Sequence, residues 1–184
     1  MKTFRTLLFA AVVAAVACTP ALAAGEILLQ LAGIPGESIV TGHEHEIDVL
    51  SLSFGVSQTG IRAAGGAASA RRSSLSTISI QKLIDLSSPK LFLACALGTA
   101  IPSAKLTLRK TGDLPYEYLV ITLQDVFVSS VSTNASEGGD AVESVSLSFS
   151  KITYQYTPLD SNGQPLPPIK VSFDVFKNRE FTAQ

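Results

Sequence analysis

The sequence contains no tryptophan and only two histidines and two cysteines among its 184 residues. The absence of tryptophan weakens any case for a platform that stacks on sugars or bases, and two cysteines exclude a disulfide-rich scaffold. Charged residues make up 16% and nearly cancel, with a net charge of −1, so bulk charge favours neither nucleic acid nor an anionic membrane as a partner. The hydrophobic content of 46% excludes a disordered chain, and the length fits one domain.

The first two dozen residues have the organisation of a secretory signal peptide. Lys2 and Arg5 form a basic start, and residues 7–16 are uncharged and apolar. That stretch is too short to anchor a helix across a bilayer, so no stable membrane insertion is predicted after cleavage. Small residues surround the predicted cleavage site: Ala21, Ala23 and Ala24.

Cleavage after Ala23 divides the chain into a signal peptide, residues 1–23, and one domain, residues 24–184. The predicted location is therefore the periplasm or the medium. A lipid anchor at Cys18, which follows the small residues Ala15, Val16 and Ala17, is the alternative.

The rest of the chain has the alternating apolar pattern of β-strands, most strictly in residues 144–150. A regular strand cannot change the face that carries its apolar residues, whereas a β-bulge or sharp bend allows the change. Such bends curve sheets, so we predict a mainly β fold, a bent antiparallel β-barrel that is closed or nearly closed. The face changes three times, between Val49 and Leu50, between Leu123 and Val126, and between Phe149 and Ile152.

One helix is predicted to flank the barrel. Ser87 or Ser88 can cap its start, Pro89 fits the first turn, and Gly98 can end it. Its predicted apolar face, which would cover one side of the barrel, consists of Leu91, Leu93, Ala94 and Leu97.

The residues that could carry chemistry are few. His43 and His45 would share one face of a strand, but a zinc site needs a third ligand, so neither a metal site nor a cofactor is predicted. No serine lies in a G-x-S-x-G elbow, which argues against a serine nucleophile. Three acidic residues alternate along the predicted strand, and a solvated strand face explains them better than a catalytic acid–base pair does. We therefore predict a protein that is not an enzyme. Those acids are Glu44, Glu46 and Asp48.

Several separate blocks, in order, resemble the Hcp (haemolysin-coregulated protein) family, which forms the inner tube of the bacterial type VI secretion system. The downstream blocks are residues 87–91 with 94–95, residues 104–110, residues 116–123 and residues 128–132. The upstream blocks resemble the first part of the family's sequences. The residues that carry this resemblance are Gly36, Glu37, Ser38, His43, Ile47, Asp48, Ser53, Gly55, Ser57 and Gln58.

The resemblance implies a homohexameric ring whose copies stack into a tube, with a spike protein, a sheath and small effector proteins as partners. It also implies that residues 60–74, a loop rich in glycine and alanine, contact the neighbouring ring. A contact between rings is heterologous and propagates along the tube. Serines opposite the apolar face, such as Ser144, Ser146 and Ser148, would make the tube wall uncharged. The loop residues expected to contribute to ring stacking are Ile61, Arg62, Arg71 and Arg72.

The signal peptide departs from the family pattern, because family members leave the cytoplasm as the tube itself. Two hypotheses follow. The first is a structural tube subunit, which would be cytoplasmic until exported by type VI secretion. The second is an exported binding module that keeps the barrel but no longer builds a tube.

Overall fold

The computed structural model describes residues 25–58, 73–75, 77–112 and 114–182. In these ranges the chain is mainly β, with one helix, α1 (Ser88–Leu97), which confirms the predicted fold class. The strands are β1 (Gly25–Leu31), β2 (Ile47–Val49), β3 (Ser51–Ser53), β4 (Val56–Gln58), β5 (Ser73–Leu75), β6 (Ile78–Leu83), β7 (Ala100–Lys110), β8 (Tyr116–Asn134), β9 (Val142–Ser148), β10 (Lys151–Tyr156), β11 (Ile169–Asp174) and β12 (Arg179–Glu180).

All strand pairs are antiparallel, and the main sheet runs in the order β12-β11-β10-β8-β7-β1-β2. A branch follows from β8 through β9 and β6 to β3. Only Leu50 separates β2 from β3, and its N–H donates to the carbonyl of Gln81 at 2.7 Å. The chain therefore passes from pairing with β1 through β2 to pairing with β6 through β3, and the sheet curls around one core.

Backbone irregularities lie at each of the three places where the apolar pattern changes face. At the first place, Leu50 separates β2 from β3. Within β8, Asp125 has a φ of 52°, a left-handed conformation that breaks the alternation between the buried residues Leu123 and Val126. The third change falls at Phe149 and Ser150, between β9 and β10, so it is a break between strands instead of a bulge.

The core is formed by the side chains on the inner face of the curled sheet. Register places Leu29 beside Leu106, and Leu106 beside Ile121, so three neighbouring strands contribute one layer of aliphatic side chains. Full burial of each such side chain contributes roughly 1.5–3 kcal/mol relative to exposure. On the opposite face, Leu28 and its cross-strand neighbour Thr107 are also fully buried, so this part of the sheet is covered on both sides.

Helix α1 begins and ends where the sequence predicted, but its caps and buried face differ in detail. Gly98, with a φ of 63°, ends the helix in the left-handed conformation that glycine adopts without strain. Ser87 is the N-cap residue, but its side chain makes no capping bond and donates instead to Asp85. Among the described residues, no helix is long and apolar enough to cross a bilayer.

The predicted apolar face of α1 is only half correct. Leu91 and Ala94 pack into the core, whereas Leu93 and Leu97 are exposed. The period of the helix explains the difference: Ala94 lies only about 60° around the axis from Leu91, whereas Leu93 and Leu97 lie about 200° and about 240° from it and point away from the sheet. The exposed pair therefore belongs to the outer surface of the molecule.

Candidate assembly surfaces

The segment between β1 and β2 contains the first residues predicted as a family motif, and backbone hydrogen bonds hold it together. The N–H of Gly36 donates to the carbonyl of His45 at 2.8 Å, and the N–H of Ser38 donates to the carbonyl of Glu46 at 2.9 Å. A Cβ at position 36 would lie 2.4 Å from the Glu46 carbonyl oxygen, which is too close for any side chain. Glycine is therefore required at this position by the close approach of two backbone segments.

Glu37 links this segment to the approach to α1. Its Oε1 accepts a hydrogen bond from the backbone N–H of Leu86 at 3.0 Å. A charged acceptor satisfies a backbone donor just before the helix, so the motif residue has a positioning role for the loop that leads into α1.

His43 lies at the centre of a polar cluster, which we call the His43 cluster. Its Nε2 lies 3.2 Å from Glu117 Oε1 on β8, and its Nδ1 lies 3.1 Å from Glu46 Oε2. The contact with Glu46 is electrostatic, because the geometry does not meet that of a hydrogen bond. Next to Glu117 in register is Arg109, whose Nε lies 3.5 Å from Glu26. The cluster ties the motif segment to β8.

This arrangement corrects one expectation and separates the two histidines. Glu46 is buried against His43, so it does not belong to a solvated strand face. Glu44 and His45 are exposed, and hydrogen bonds from its own backbone and from the N–H of Gly42 hold the pKa of Glu44 below its usual range. The histidines do not share a strand face, because residues 41–46 form turns and His45 has a φ of 65°.

The remaining motif residues occupy β2 and its continuation. Ile47 is fully buried in the core, and Asp48 is exposed on the other face of β2. Ser53 and Ser57 are exposed, and Gln58 pairs with Ser73 in the β4–β5 ladder. Gly55 lies between β3 and β4. These residues therefore combine one core position with several surface positions.

A second polar cluster, the Lys82 cluster, was missed by the sequence analysis. Lys82 is fully buried, and its Nζ lies 2.7 Å from Asp85, 2.9 Å from Ser88 and 3.0 Å from Glu143. It also donates to the carbonyl of Leu83 at 2.7 Å, and the second oxygen of Glu143 accepts from Thr133 at 3.3 Å. The available signal was the even-numbered pattern of β6, in which Lys82 follows Ile78 and Ile80 on the core face.

One face of the curled sheet carries short uncharged polar side chains across four strands, and we call it the serine face. Register aligns Ser53, Ser79, Ser146 and Ser130 in one row. In this first row Ser79 Oγ lies 3.3 Å from Ser146 Oγ. In a second row Ser51 Oγ donates to Gln81 Oε1 at 3.2 Å. The second row consists of Ser51, Gln81, Ser144 and Ser132.

Large apolar side chains are exposed at several places in the described ranges, and two of these surfaces are of interest for assembly. The first, the helix face, consists of Phe92, Leu93 and Leu97, which are 66%, 55% and 69% exposed. The second, the apolar groove, is a cavity of about 500 Å³ between β10–β11 and the β4–β5 hairpin. Solvent-exposed apolar patches of this kind are typical of protein–protein contacts. The groove is lined by Phe54, Val56, Leu75, Ile152, Tyr154, Val171, Ser172, Phe173 and Glu180.

Comparison with known proteins decides the family. A family model described as "Type VI secretion system effector, Hcp" matches residues 28–156. The chain belongs to the Hcp family. Protein hcp1 of Pseudomonas aeruginosa is 39% identical over 156 residues, which cover 83% of this chain and 96% of that protein.

Solved Hcp structures share the fold. The crystal structure of Hcp1 from Salmonella typhimurium matches with a TM-score of 0.72 and 35% identity, covering 86% of this chain and 99% of that one. A structure described as a type six secretion system protein reaches a TM-score of 0.80 at 22% identity, covering 86% and 100%, and supports the fold alone.

The residues expected to stack Hcp rings lie outside the described ranges. This applies to the loop residues Ile61, Arg62, Arg71 and Arg72, and equally to the cleavage-site residues Ala21, Ala23 and Ala24. Their roles stay predictions. The described part of the loop region is the β4–β5 hairpin at its base, which forms one wall of the apolar groove.

Proposed function

We propose that this Hcp chain is a non-enzymatic structural subunit that forms hexameric rings, and that these rings stack into a type VI secretion tube. The observation that supports this role best is the serine face. Four adjacent strands present seven serines and one glutamine in register, an uncharged polar surface of the kind that a passive wall requires. Such a wall neither attracts nor repels a charged protein that passes along it.

The hydrogen bonds within the serine face support the same role. Hydroxyls that are already paired, such as those of Ser79 and Ser146, have less capacity to hold a passing protein by hydrogen bonds. We propose that the serine face lines the tube, that the loop of residues 60–74 contacts the next ring, and that the spike, the sheath and small effectors are partners. This role requires no metal and no cofactor.

A labelling experiment tests the position of the serine face. Ser132 is replaced by cysteine in a Cys95→Ser background, and labelling of the assembled protein is compared for a small maleimide and a bulky polyethylene-glycol maleimide. We expect the small reagent to react freely and the bulky one to be slowed several-fold, because the tube interior restricts its access. Equal rates for both reagents in an assembled ring would place the serine face outside the tube.

We further propose that residues 1–23 are a signal peptide that is cleaved after Ala23, leaving residues 24–184 as one domain. Strand β1 begins at Gly25 and the family match begins at residue 28, so cleavage at this position would leave both strand β1 and the matched residues in the mature chain. The proposed location is therefore the periplasm or the medium. The competing proposal is that the chain stays in the cytoplasm until type VI secretion exports it.

One preparation tests both export and assembly. The protein is purified from the periplasm of an expressing bacterium, its N-terminus is sequenced, and its native mass is measured by light scattering. A chain that starts at Ala24 and has the mass of a hexamer supports both proposals. A processed monomer contradicts the ring, and an unprocessed cytoplasmic hexamer contradicts the signal peptide.

A further inference from the structure

The face of the sheet that holds the core continues onto β10 and β11, where it is exposed. In register, one apolar row crosses five strands from Ile27 on β1 to Ile169 on β11. The members of this row on β1, β7 and β8 are partly buried, whereas Tyr156 and Ile169 are 45% and 63% exposed. Two exposed residues of the next row, which also line the apolar groove, extend the same surface. We call this surface the β10–β11 face, and it consists of Tyr154, Tyr156, Ile169 and Val171.

The chain enters the fold at the same end of the sheet. Strand β1 begins at Gly25, two residues before Ile27, and residues 1–24 lie outside the described ranges. Neighbouring strands are about 4.8 Å apart, so β11 lies within about 19 Å of β1 along the row. Residues 17–24 can span about 26 Å when extended. The apolar residues 7–16 can therefore reach the β10–β11 face of their own chain.

The composition of residues 7–16 suits an apolar surface. The three largest side chains, Leu7, Leu8 and Phe9, stand at the start of this stretch, and the others are alanine or valine. Water disfavours exposure of this stretch and of the β10–β11 face alike, so each gains by covering the other. A segment joined to its target by a short connection has a high effective concentration, which favours contact within one chain over contact between chains.

Charge favours one direction for the segment. Lys2 and Arg5 are the charged residues that precede the apolar stretch. Among the described residues that line the apolar groove, Glu180 is charged, and its strand β12 lies on the far side of β11 from β1. A segment that leaves Gly25 and crosses β10 and β11 therefore brings its basic start towards Glu180. Opposite charges at the rim of an apolar contact fix its register.

We propose that residues 7–16 of the uncleaved chain fold back onto the β10–β11 face and the apolar groove of the same chain, with Lys2 and Arg5 beside Glu180. The contact is autoinhibitory, because a surface covered by the chain's own N-terminus is closed to every other protein. Cleavage after Ala23 removes the cover. This inference rests on the signal peptide proposed above and gives it a second role, which is to keep a chain that folds before export from associating.

The experiment uses the full chain from cell-free synthesis without membranes, in which the intact mass verifies that residues 1–23 are retained. A thiol is introduced by Val171→Cys in a Cys18→Ser, Cys95→Ser background, and its rate of labelling by a small maleimide is measured. Val13→Asp places a charge inside the apolar stretch and outside the family match, so the fold should be kept, as circular dichroism verifies. We expect labelling at position 171 to be at least several-fold faster with Val13→Asp than without it.

Two controls match these variants. Thr19→Asp adds the same charge before the cleavage site but outside the apolar stretch, and it should leave the slow labelling unchanged. Lys170→Cys places the thiol at an exposed position on the opposite face of β11. Its rate of labelling should be the same with and without Val13→Asp.

Dilution identifies the occupant of the surface. A cover from the same chain does not depend on protein concentration, whereas a cover from a second copy is lost on dilution. We expect the slow labelling at position 171 to persist at low protein concentration. Protection that disappears on dilution would make a second copy the occupant and overturn the proposal. Equal rates with and without Val13→Asp at low concentration would overturn it as well.

A charge exchange tests the direction of the segment. In the full chain, Glu180→Lys should speed labelling at position 171 about two-fold or more relative to the same change in the Val13→Asp chain. Adding Lys2→Glu and Arg5→Glu to Glu180→Lys should restore the slow rate. Absence of this recovery contradicts the placement of Lys2 and Arg5 beside Glu180.

Failure of this inference can be distinguished from failure of the proposed function. The labelling comparison is made on an uncleaved and diluted chain, so it depends neither on ring formation nor on cleavage in cells. A cleaved chain that is monomeric contradicts the ring, and a periplasmic chain that retains residues 1–23 contradicts the cleavage site. The periplasmic chain that starts at Ala24 should label at position 171, at low concentration, as fast as the Val13→Asp chain. Slow labelling of that cleaved chain would overturn the role of residues 7–16 as the cover.

Discussion

The two polar clusters of this molecule have similar structural roles, but the polar atoms of one cluster are paired more completely than those of the other. Each fixes a non-strand segment onto the sheet: the Lys82 cluster holds the start of α1, and the His43 cluster holds the motif segment. Around Lys82, one ammonium group has four oxygen neighbours and no exposed surface. Around His43, Glu117 is 42% exposed, and buried atoms of His43 and Glu46 lack hydrogen-bond partners.

The difference shows how burial determines how completely a polar group must be paired. Burial of a charge without compensating partners costs several kcal/mol of folding free energy, so the charged Lys82 can be buried only together with its partners. At the His43 cluster solvent reaches Glu117, and water screens the incomplete contacts. We therefore expect the Lys82 cluster to dominate stability and the His43 cluster to contribute less.

The largest expected effect comes from Lys82→Met. This change leaves Asp85 and Glu143 near each other without the buried cation, and we expect a loss of about 3–5 kcal/mol in the free energy of unfolding. Urea unfolding measures it, with Lys170→Met, at an exposed position, as the control within about 0.5 kcal/mol of wild type. If the two variants lose equal stability, the Lys82 cluster does not dominate.

Gly36→Ala tests the motif segment through its backbone. Because the obstacles are the Glu46 carbonyl at 2.4 Å and the Ile47 Cα at 2.6 Å, the two segments must move apart. We expect a loss of about 3 kcal/mol, at the upper end of the cost of overpacking. Gly25→Ala is the matched control, since its nearest neighbour would be 3.9 Å away. Similar unfolding midpoints for the two alanine variants would argue against the close approach.

His43→Leu tests the side chains of the same segment. The change leaves Glu46 buried without its partner, and we expect a loss of about 1–2 kcal/mol by urea unfolding. The double variant His43→Leu, Glu46→Leu should recover part of it, which a double-mutant cycle quantifies. His45→Asn is the control, because His45 is exposed and asparagine tolerates its φ of 65°. A loss at His45 as large as at His43 would refute the cluster.

The smallest effect is expected at alkaline pH. Burial of the Tyr116 hydroxyl, which lacks a partner, raises the pKa of this side chain above its usual value, and the Tyr156 phenol nearby adds to the shift. As the pH rises, Tyr116 then ionises at a lower pH in the unfolded chain than in the folded chain. Its contribution to stability is therefore complete below about pH 10 and is lost as the pH rises through the pKa of Tyr116 in the folded chain. Urea midpoints at two pH values on either side of 10 should therefore differ less in Tyr116→Phe than in wild type.

A second variant sharpens that test. Tyr156→Phe removes only the lesser cause of the shift, so most of the alkaline loss should remain. An alkaline loss that disappears in Tyr156→Phe but persists in Tyr116→Phe would assign the effect to the other tyrosine.

The local devices of the fold could be predicted from the sequence because they depend on neighbouring residues. Pro89 and Gly98 bracket the helix as predicted, and the three changes of apolar face mark where the backbone breaks or bends. The burial of Lys82 could not be predicted with the same ease. Lysine is almost never fully buried unless it is paired, and its partner Glu143 lies 61 positions away along the chain.

By itself, the sequence determined the strand content, the helix that flanks the sheet, the bends of the sheet and the family. These follow from spacing along the chain, since a strand, a turn or a cap responds to residues one to four positions away. Only the tertiary structure decided which side chains share a surface. The serine face joins four strands, the groove joins residues from Phe54 to Glu180, and the exposure of Leu93 and Leu97 depends on how α1 lies against the sheet. Surfaces of this kind arise from pairing between distant segments, because local periodicity does not specify which strands become neighbours.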